Sequence, residues 1–141
     1  MILLDTNVLS ELARAMPEPT VFAWAQAIPV SELCTTAITE AELHFGLALL
    51  PPGARRTALT QAIEAVFARV VQDRVLLFDR AAAPIYGDLA AKRRRLGRSV
   101  NIADLQIQAI ARAHSVAAIA TRNTVDFSDC GLPLINPWQR P

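Results

Sequence analysis

Two kinds of hydrophobic pattern alternate along the chain: short continuous apolar runs, and longer segments in which apolar residues recur with helical spacing. The short runs are typical of buried parallel strands and the longer segments of amphipathic helices, so their alternation predicts an α/β domain. We predict strands, the last of them a short edge strand, over residues 1–4, 33–36, 75–78, 116–120 and 132–135. We predict helices over residues 6–14, 20–28, 39–50, 54–71, 79–96 and 101–114. A length of 141 residues predicts a single domain spanning 1–141.

The composition changes this picture in a few respects. Hydrophobic residues make up 52% of the chain, and a chain this short buries only about two-thirds of its unfolded surface. We therefore expect part of the apolar surface to be covered by a partner or a second copy. Neither Cys34 nor Cys130 has the spacing of a metal ligand. Neither a secretion signal nor an apolar run of about 18 residues is present, so we expect a cytoplasmic protein without membrane attachment.

Acidic and amide side chains map to one edge of the predicted sheet, beyond the carboxyl ends of its strands, where open α/β sheets bind ligands. Asp5 directly follows the first strand, and Asn123 and Asp126 follow the fourth. Glu42 and Asp104 fall in the first turns of two predicted helices, one after the second strand and one before the fourth. Converging carboxylates repel one another unless a cation is shared. An all-oxygen donor set favours Mg²⁺ or Mn²⁺, which can activate water and offset charge on a phosphodiester.

Each of these residues also has a purely structural interpretation. Thr39 and Glu42 fit a capping box, with Thr39 as the N-cap. The remaining candidates can be helix caps, first-turn acids or turn residues: Asp5, Asn101 with Asp104, and Asp126. The functional interpretation rests on all of them meeting at one sheet edge.

Four segments stand out in this order along the chain: MILLDTNVL at 1–9, TAITEAELHFG at 36–46, NIADLQIQAIA at 101–111 and IATRNTVDF at 119–127. Together they resemble the motifs of PIN-domain proteins, and in particular of the VapC ribonuclease toxins. The ending LINPW at 134–138 resembles the FitB-like subgroup. A single Asp-Thr-Asn would be a weak signal, but the ordered set covers essentially the whole chain.

The resemblance implies a PIN-domain-like three-layer α/β/α fold with a central parallel sheet of four to five strands. It also implies a magnesium-dependent endoribonuclease, the toxin of a type II toxin–antitoxin system, with Mg²⁺ (or Mn²⁺) as cofactor. RNA is then the substrate and a VapB/FitA-like antitoxin the cognate partner, in a homodimer or a dimer of toxin–antitoxin pairs. An alternative is a non-catalytic PIN-fold partner in an antitoxin–nucleic-acid complex. Three carboxylates in one cleft argue against that alternative, because they cost stability without a cation.

Individual roles follow residue by residue from the motifs. Asp5, Glu42 and Asp104 match the acidic residues of the family and are the expected metal ligands and catalytic residues. Some relatives have Asp where this chain has Asn123, so either Asn123 or Asp126 completes the catalytic set. We expect supporting roles, such as orienting an acid or a water molecule, for Thr6, Asn7 and Thr121.

A basic run precedes the third motif, and one arginine lies in the fourth. These residues are candidates for binding RNA phosphates, although a solvated charged face or ion pairs with an acidic antitoxin fit them equally well. The candidates are Arg93, Arg94, Arg95, Arg98 and Arg122.

Overall fold

Five short parallel strands form the centre of the fold in the computed structural model, which describes residues 1–139. They are β1 (Ile2–Leu4), β2 (Leu33–Thr36), β3 (Val75–Leu76), β4 (Ala118–Ala120) and β5 (Leu134–Ile135). The order across the sheet is β3-β2-β1-β4-β5. Ile2 of β1 is paired with Leu33 of β2 on one side and with Ala118 of β4 on the other. The carboxyl ends of all strands therefore lie at one edge.

Helices connect the strands and lie close to the predicted positions. They are α1 (Thr6–Leu12), α2 (Pro19–Gln26), α3 (Ala37–Leu49), α4 (Ala54–Val66), α5 (Ala82–Arg95), α6 (Ile102–Ala113) and α7 (Thr124–Phe127). A 3₁₀ turn spans Val30–Glu32. The predicted helix over 54–71 changes character at its end, where Phe67–Val71 form a π-helical turn closed by a hydrogen bond from Gln72 N–H to the Phe67 carbonyl. Helix α5 ends at Arg95, one residue before the predicted end, and Gly97 follows it with φ 68°, as a helix-terminating glycine does.

The sheet separates two hydrophobic layers because successive side chains of a strand point to opposite faces. Leu4 of β1 packs with apolar residues of α1 to α4, whereas Leu3 packs with apolar residues of α6 and α7. Helix α5 packs on the outside of α6 through a third cluster, formed by Ala82, Leu89, Leu105, Ala109 and Ile110. The predicted three-layer α/β/α arrangement with a parallel sheet is confirmed.

Two helix starts were predicted wrongly: α5 begins three residues after the predicted position, and the error at α3 concerns a site residue. Helix α3 begins at Ala37, and its N-cap is Thr36, whose Oγ1 accepts a hydrogen bond from Thr39 N–H at 3.0 Å. Thr39 is therefore not the cap, so Glu42 is not the partner of a capping box and lies in the second helical turn rather than the first. The reason is that Thr36 ends β2 in an extended conformation, which suits an N-cap directly.

Within residues 1–139, every helix is too short or too polar to cross a membrane.

Candidate active site

Asp5 is the most tightly held acidic residue of the site. It follows β1, is 4% exposed and caps α1, with Oδ1 accepting a hydrogen bond from Thr6 N–H at 2.8 Å. Its Oδ2 accepts hydrogen bonds from the Thr121 hydroxyl at 2.8 Å and from Asn7 Nδ2 at 2.9 Å. Burial raises the pKa of Asp5, whereas these hydrogen bonds oppose the rise. The helix-cap and site interpretations of Asp5 are thus compatible.

Hydrogen bonds of Thr121 and Asn7 link the loop after β4 to the start of α1. The Thr121 hydroxyl, fully buried, accepts a hydrogen bond from Asn123 N–H at 3.0 Å while it donates to Asp5. Asn7 Oδ1 accepts a hydrogen bond from Arg122 N–H at 3.1 Å. The residues expected to support the site therefore do contact it, and they fix the carboxylate of Asp5 against two strands.

Glu42 reaches the same edge from α3. Its Oε2 accepts a hydrogen bond from the Thr6 hydroxyl, which joins the second turn of α3 to the first turn of α1. The negative charge of Glu42 raises the pKa of both Asp5 and Asp104. Two residues 37 positions apart in the chain, Asp5 and Glu42, are thus electrostatic neighbours.

Asp104 is the carboxyl group most strongly affected by this crowding. It lies in the first turn of α6, and the predicted cap Asn101 is confirmed, since Asn101 Oδ1 accepts from Asp104 N–H at 3.3 Å. Burial, and then the negative charges of Asp5, Glu42 and Asp126, raise the pKa of Asp104 to about 6. The positive charge of Arg93 opposes this rise and lowers the pKa of Asp104. Three of the four carboxylates expected at one edge therefore lie close enough to Asp104 to raise its pKa.

The fourth position of the site is shared by two residues in and before α7. The side-chain amide of Asn123 donates a hydrogen bond to Oδ2 of Asp126. Asp126, and not Asn123, contributes to the raised pKa of Asp104. Asp126 is thus the charged group of the pair that faces the other carboxylates, and Asn123 holds it.

Arg93 lies inside the molecule, in contrast to the exposed position that we expected from the basic run. It is 6% exposed, and its Nε donates to the carbonyl oxygen of Ser99 at 3.0 Å. Its Nη1 donates to the carbonyl oxygen of Asp126 at 2.9 Å and to Oδ2 of Asp129 at 3.3 Å. Its Nη2 lies 3.7 Å from Oδ1 of Asp126, so Arg93 is held inside the molecule by acceptors of its own chain and is not an exposed cation.

The other basic candidates are at the surface. Arg94 and Arg95 are exposed at the end of α5. Arg98 is also exposed but pairs with Asp129 at 2.7 Å. Arg122 lies over the ring of Trp138, with its guanidinium carbon 5.3 Å from the ring centroid. Arg94 and Arg95 are therefore the basic-run candidates that lack an ion pair among the described residues.

A residue that we did not single out from the sequence, Gln108, also belongs to this region. It is fully buried one turn after Asp104, and its Nε2 donates to the carbonyl oxygen of Asp126 at 3.1 Å. A cavity of about 110 Å³ is lined by Arg93, Ser99, Asn101, Asp104, Leu105, Gln108 and Asp126. The spacing of Asp104, Gln108 and Arg112, which puts them on one face of α6, was the signal in the sequence that could have revealed it.

The donor set fits a hydrated divalent cation better than a dehydrated one. Within the described part of the chain, no group of three or more Asp, Glu, His or Cys side chains is arranged so that it could hold a metal ion as it stands. Mg²⁺ keeps several of its waters and is usually held by only one or two carboxylates. The carboxylates that raise the pKa of Asp104 supply the negative charge that such an ion needs, and Arg93 offsets only part of it. Asp5, Glu42 and Asp104 therefore fit Mg²⁺ by their chemistry.

Known proteins with similar sequences cover almost all of the chain. The PIN domain family matches residues 2–131. The chain is 45% identical over 139 residues to the VapC ribonuclease Y4jK of Sinorhizobium fredii, which covers 99% of both proteins. It is 37% identical over 138 residues to the toxin FitB of Neisseria gonorrhoeae, covering 98% of this chain and 99% of FitB.

Solved structures show the same similarity in three dimensions. The structure of FitAB bound to an IR36 DNA fragment contains a chain with a TM-score of 0.88 and 35% identity, covering 100% of this chain and 98% of that one. FitAcB from Neisseria gonorrhoeae also gives a TM-score of 0.88, with 36% identity and coverage of 99% and 100%. The chain therefore belongs to the PIN-domain family, in the group that includes VapC ribonucleases and the FitB toxin.

Proposed function

We propose that the chain is a magnesium-dependent endoribonuclease that acts as the toxin of a type II toxin–antitoxin pair. The observation that carries the proposal is the position of Asp104, where burial and the surrounding carboxylates raise its pKa to about 6. Such repulsion costs stability and persists where function requires it. The names of the relatives, a VapC ribonuclease and a toxin, support the same activity.

Each residue of the site has a distinct part in this mechanism. When bound, the cation activates a water molecule and offsets the charge that builds on the phosphate. Asp5, Glu42 and Asp104 would hold it, and the hydrogen bonds to Asp5 fix the direction from which it is held. Thr6 keeps the carboxylate of Glu42 at the cleft. A carboxylate of the cleft would accept the proton of the water that attacks the phosphorus in line, while the opposite P–O bond breaks and the departing ribose oxygen takes up a proton from solvent.

An antitoxin fits a groove on the other side of the molecule. The groove has a volume of about 1060 Å³ and is lined by apolar residues of α1, α2 and α4, including Leu12, Phe22 and Leu59. Arg55 and Arg69, both exposed, also line it. An amphipathic segment with an apolar face and acidic flanks would cover the groove and pair with these arginines. A solved relative with 25% identity, VapBC-5 from Mycobacterium tuberculosis, is a member of the VapBC family of toxin–antitoxin systems, which supports such a partner.

A second copy of the chain would bind to a surface on α3 rather than to the apolar groove. Phe45 and Leu49 lie one turn apart on α3 and are 66% and 68% exposed. Large apolar side chains that share a helix face and remain exposed favour association. We therefore expect a homodimer, or a dimer of toxin–antitoxin pairs.

The nuclease proposal is tested with purified protein, free of antitoxin, incubated with total RNA with and without Mg²⁺. An Asp104→Asn variant tests the site, and Asp73→Asn is the matched control because Asp73 is exposed before β3, at the opposite edge of the sheet. We expect discrete cleavage that requires Mg²⁺ and Asp104 but not Asp73. A folded wild-type protein that neither binds Mg²⁺ nor cleaves RNA would refute the proposal and favour a PIN-fold protein that acts by binding alone.

A further inference from the structure

Two buried donors converge on one backbone atom beside the carboxylate cleft. The carbonyl oxygen of Asp126 accepts hydrogen bonds from Gln108 Nε2 at 3.1 Å and from Arg93 Nη1 at 2.9 Å. Helix α7 has only four residues, and the last four carbonyls of any helix lack intrahelical partners. Side chains of α5 and α6 therefore satisfy a group that α7 cannot satisfy itself.

Such a short helix depends on these contacts for its orientation. A single isolated turn is unstable in water, because nucleation fixes several residues for one hydrogen bond. Phe127 anchors α7 in the core, but Asp126 faces the cleft with a side chain that is 42% exposed. The position of the Asp126 carboxylate next to Asp104 therefore depends on what holds the backbone of α7, and also on Asn123 and Arg93, which contact the carboxylate itself.

A glutamine at position 108 lowers the stability of the fold. Its neighbours Leu105, Ile107, Ala109, Ile110 and Ala111 on α6 are all buried and apolar. Among the described residues, its Oε1 is a buried side-chain atom without a hydrogen-bond partner, which costs about 1–3 kcal/mol. For stability alone, an apolar side chain of the same length would serve better. The hydrogen bond that Nε2 donates to the carbonyl oxygen of Asp126 explains why an amide side chain occupies this position.

We propose that Gln108 is a positioning residue of the active site, which holds Asp126 against Asp104 through the Asp126 carbonyl oxygen and so raises the affinity of the cleft for a divalent cation. This inference rests on the proposed function, because the cation is the one that the nuclease uses. Gln108 touches neither substrate nor cation and acts only through α7. Arg93 shares the same carbonyl and supplies the counter-charge that keeps the carboxylates together.

The decisive variant is Gln108→Met, which keeps the length of the side chain but removes both its donor and its unpartnered oxygen. Gln106→Met is the matched control, since Gln106 lies on the same helix but is not fully buried. Mn²⁺ affinity is measured by electron paramagnetic resonance of the free ion, and stability by thermal unfolding in EDTA. We expect about tenfold weaker Mn²⁺ binding for Gln108→Met, with a melting temperature equal to or above that of the wild type. The control leaves both values unchanged.

A double-mutant cycle with Asp126→Asn tests whether Gln108 acts through Asp126. We expect Gln108→Met to have no further effect on Mn²⁺ affinity in the Asp126→Asn background, because the charge that it positions is gone. Equal effects in both backgrounds would overturn the inference, as would wild-type Mn²⁺ affinity in the Gln108→Met variant. A lower melting temperature with unchanged affinity would make Gln108 merely structural. If the wild type binds no Mn²⁺, the proposed function fails as well, whereas the other negative results leave it intact.

Discussion

Replacing Asp104 by Asn should stabilise the metal-free protein, although the same change should abolish its activity. In the folded protein the pKa of Asp104 is about 6, against an ordinary value of 3.8. The folded state therefore binds the proton more tightly than the unfolded state. The stability associated with that proton is present below pH 4 and is lost as the pH rises through 6. At pH 7 the charged Asp104 is a destabilising group.

The size of the effect follows from the same values. The pKa of Asp104 differs by about two units between the folded and unfolded states, which corresponds to at most ~3 kcal/mol in the free energy of unfolding, at ~1.4 kcal/mol per unit. Asp104 is only partly buried, so solvent screening reduces this to roughly 1–2 kcal/mol. Asn also loses the favourable interaction of an acid with the N-terminus of α6, worth about 0.3–1 kcal/mol. The expected net gain is about 1 kcal/mol, or roughly 3 °C in melting temperature.

Thermal unfolding in EDTA at pH 7 and pH 4.5 measures this gain directly. We expect the Asp104→Asn variant to melt higher than the wild type at pH 7 and the difference to shrink at pH 4.5. Adding Mg²⁺ at about 100 times its dissociation constant should stabilise the wild type by ~2.7 kcal/mol and the variant much less, so the order reverses. The exposed Asp73→Asn change should show neither effect.

Two results would refute this reasoning. A variant that is less stable than the wild type in EDTA at pH 7 would mean that Asp104 is stabilised by its surroundings, contrary to the repulsion that the structure shows. An equal rise in melting temperature of both proteins with Mg²⁺ would mean that the ion binds elsewhere.

Three further predictions test other parts of the molecule. Thr121→Val removes the buried hydroxyl that donates to Asp5 and should cost about 1–3 kcal/mol in urea unfolding; an unchanged midpoint would show that this hydrogen bond is unimportant. Replacing Arg94 and Arg95 together by Gln should remove one or two phosphate contacts and so reduce, by about one to two, the slope of log RNA affinity against log salt concentration. Fluorescence anisotropy in EDTA measures this slope; an unchanged slope would exclude both residues from the RNA interface. Leu59→Glu places a charge in the apolar groove and should abolish antitoxin binding in size-exclusion chromatography without unfolding the toxin; a complex that survives would place the antitoxin elsewhere.

The sequence predicted the sheet well because each strand is a local signal. A continuous apolar run followed at once by Asp5 marks both β1 and the edge to which its carboxylate belongs. The ends of the strands were predicted less accurately, since β3 ends at Leu76 rather than at residue 78. Helix α7 was not predicted, because four residues between loops carry no periodic pattern. Its position depends on contacts with distant elements.

The two residues that hold α7 show where local patterns stop being informative. Lys92 to Arg98 predicted an exposed basic face, and in the structure Arg93 is instead buried, because its partners Asp126 and Asp129 lie more than thirty positions away. Gln108 shares a helix face with Asp104 and Arg112, which predicted an exposed polar face, and is likewise buried because its partner Asp126 lies 18 positions away. In both cases a residue that contradicts its own local pattern donates to one carbonyl oxygen beside the carboxylate cleft. Because each contradiction costs stability locally, their convergence on a single atom is better explained by the needs of the site than by those of the fold.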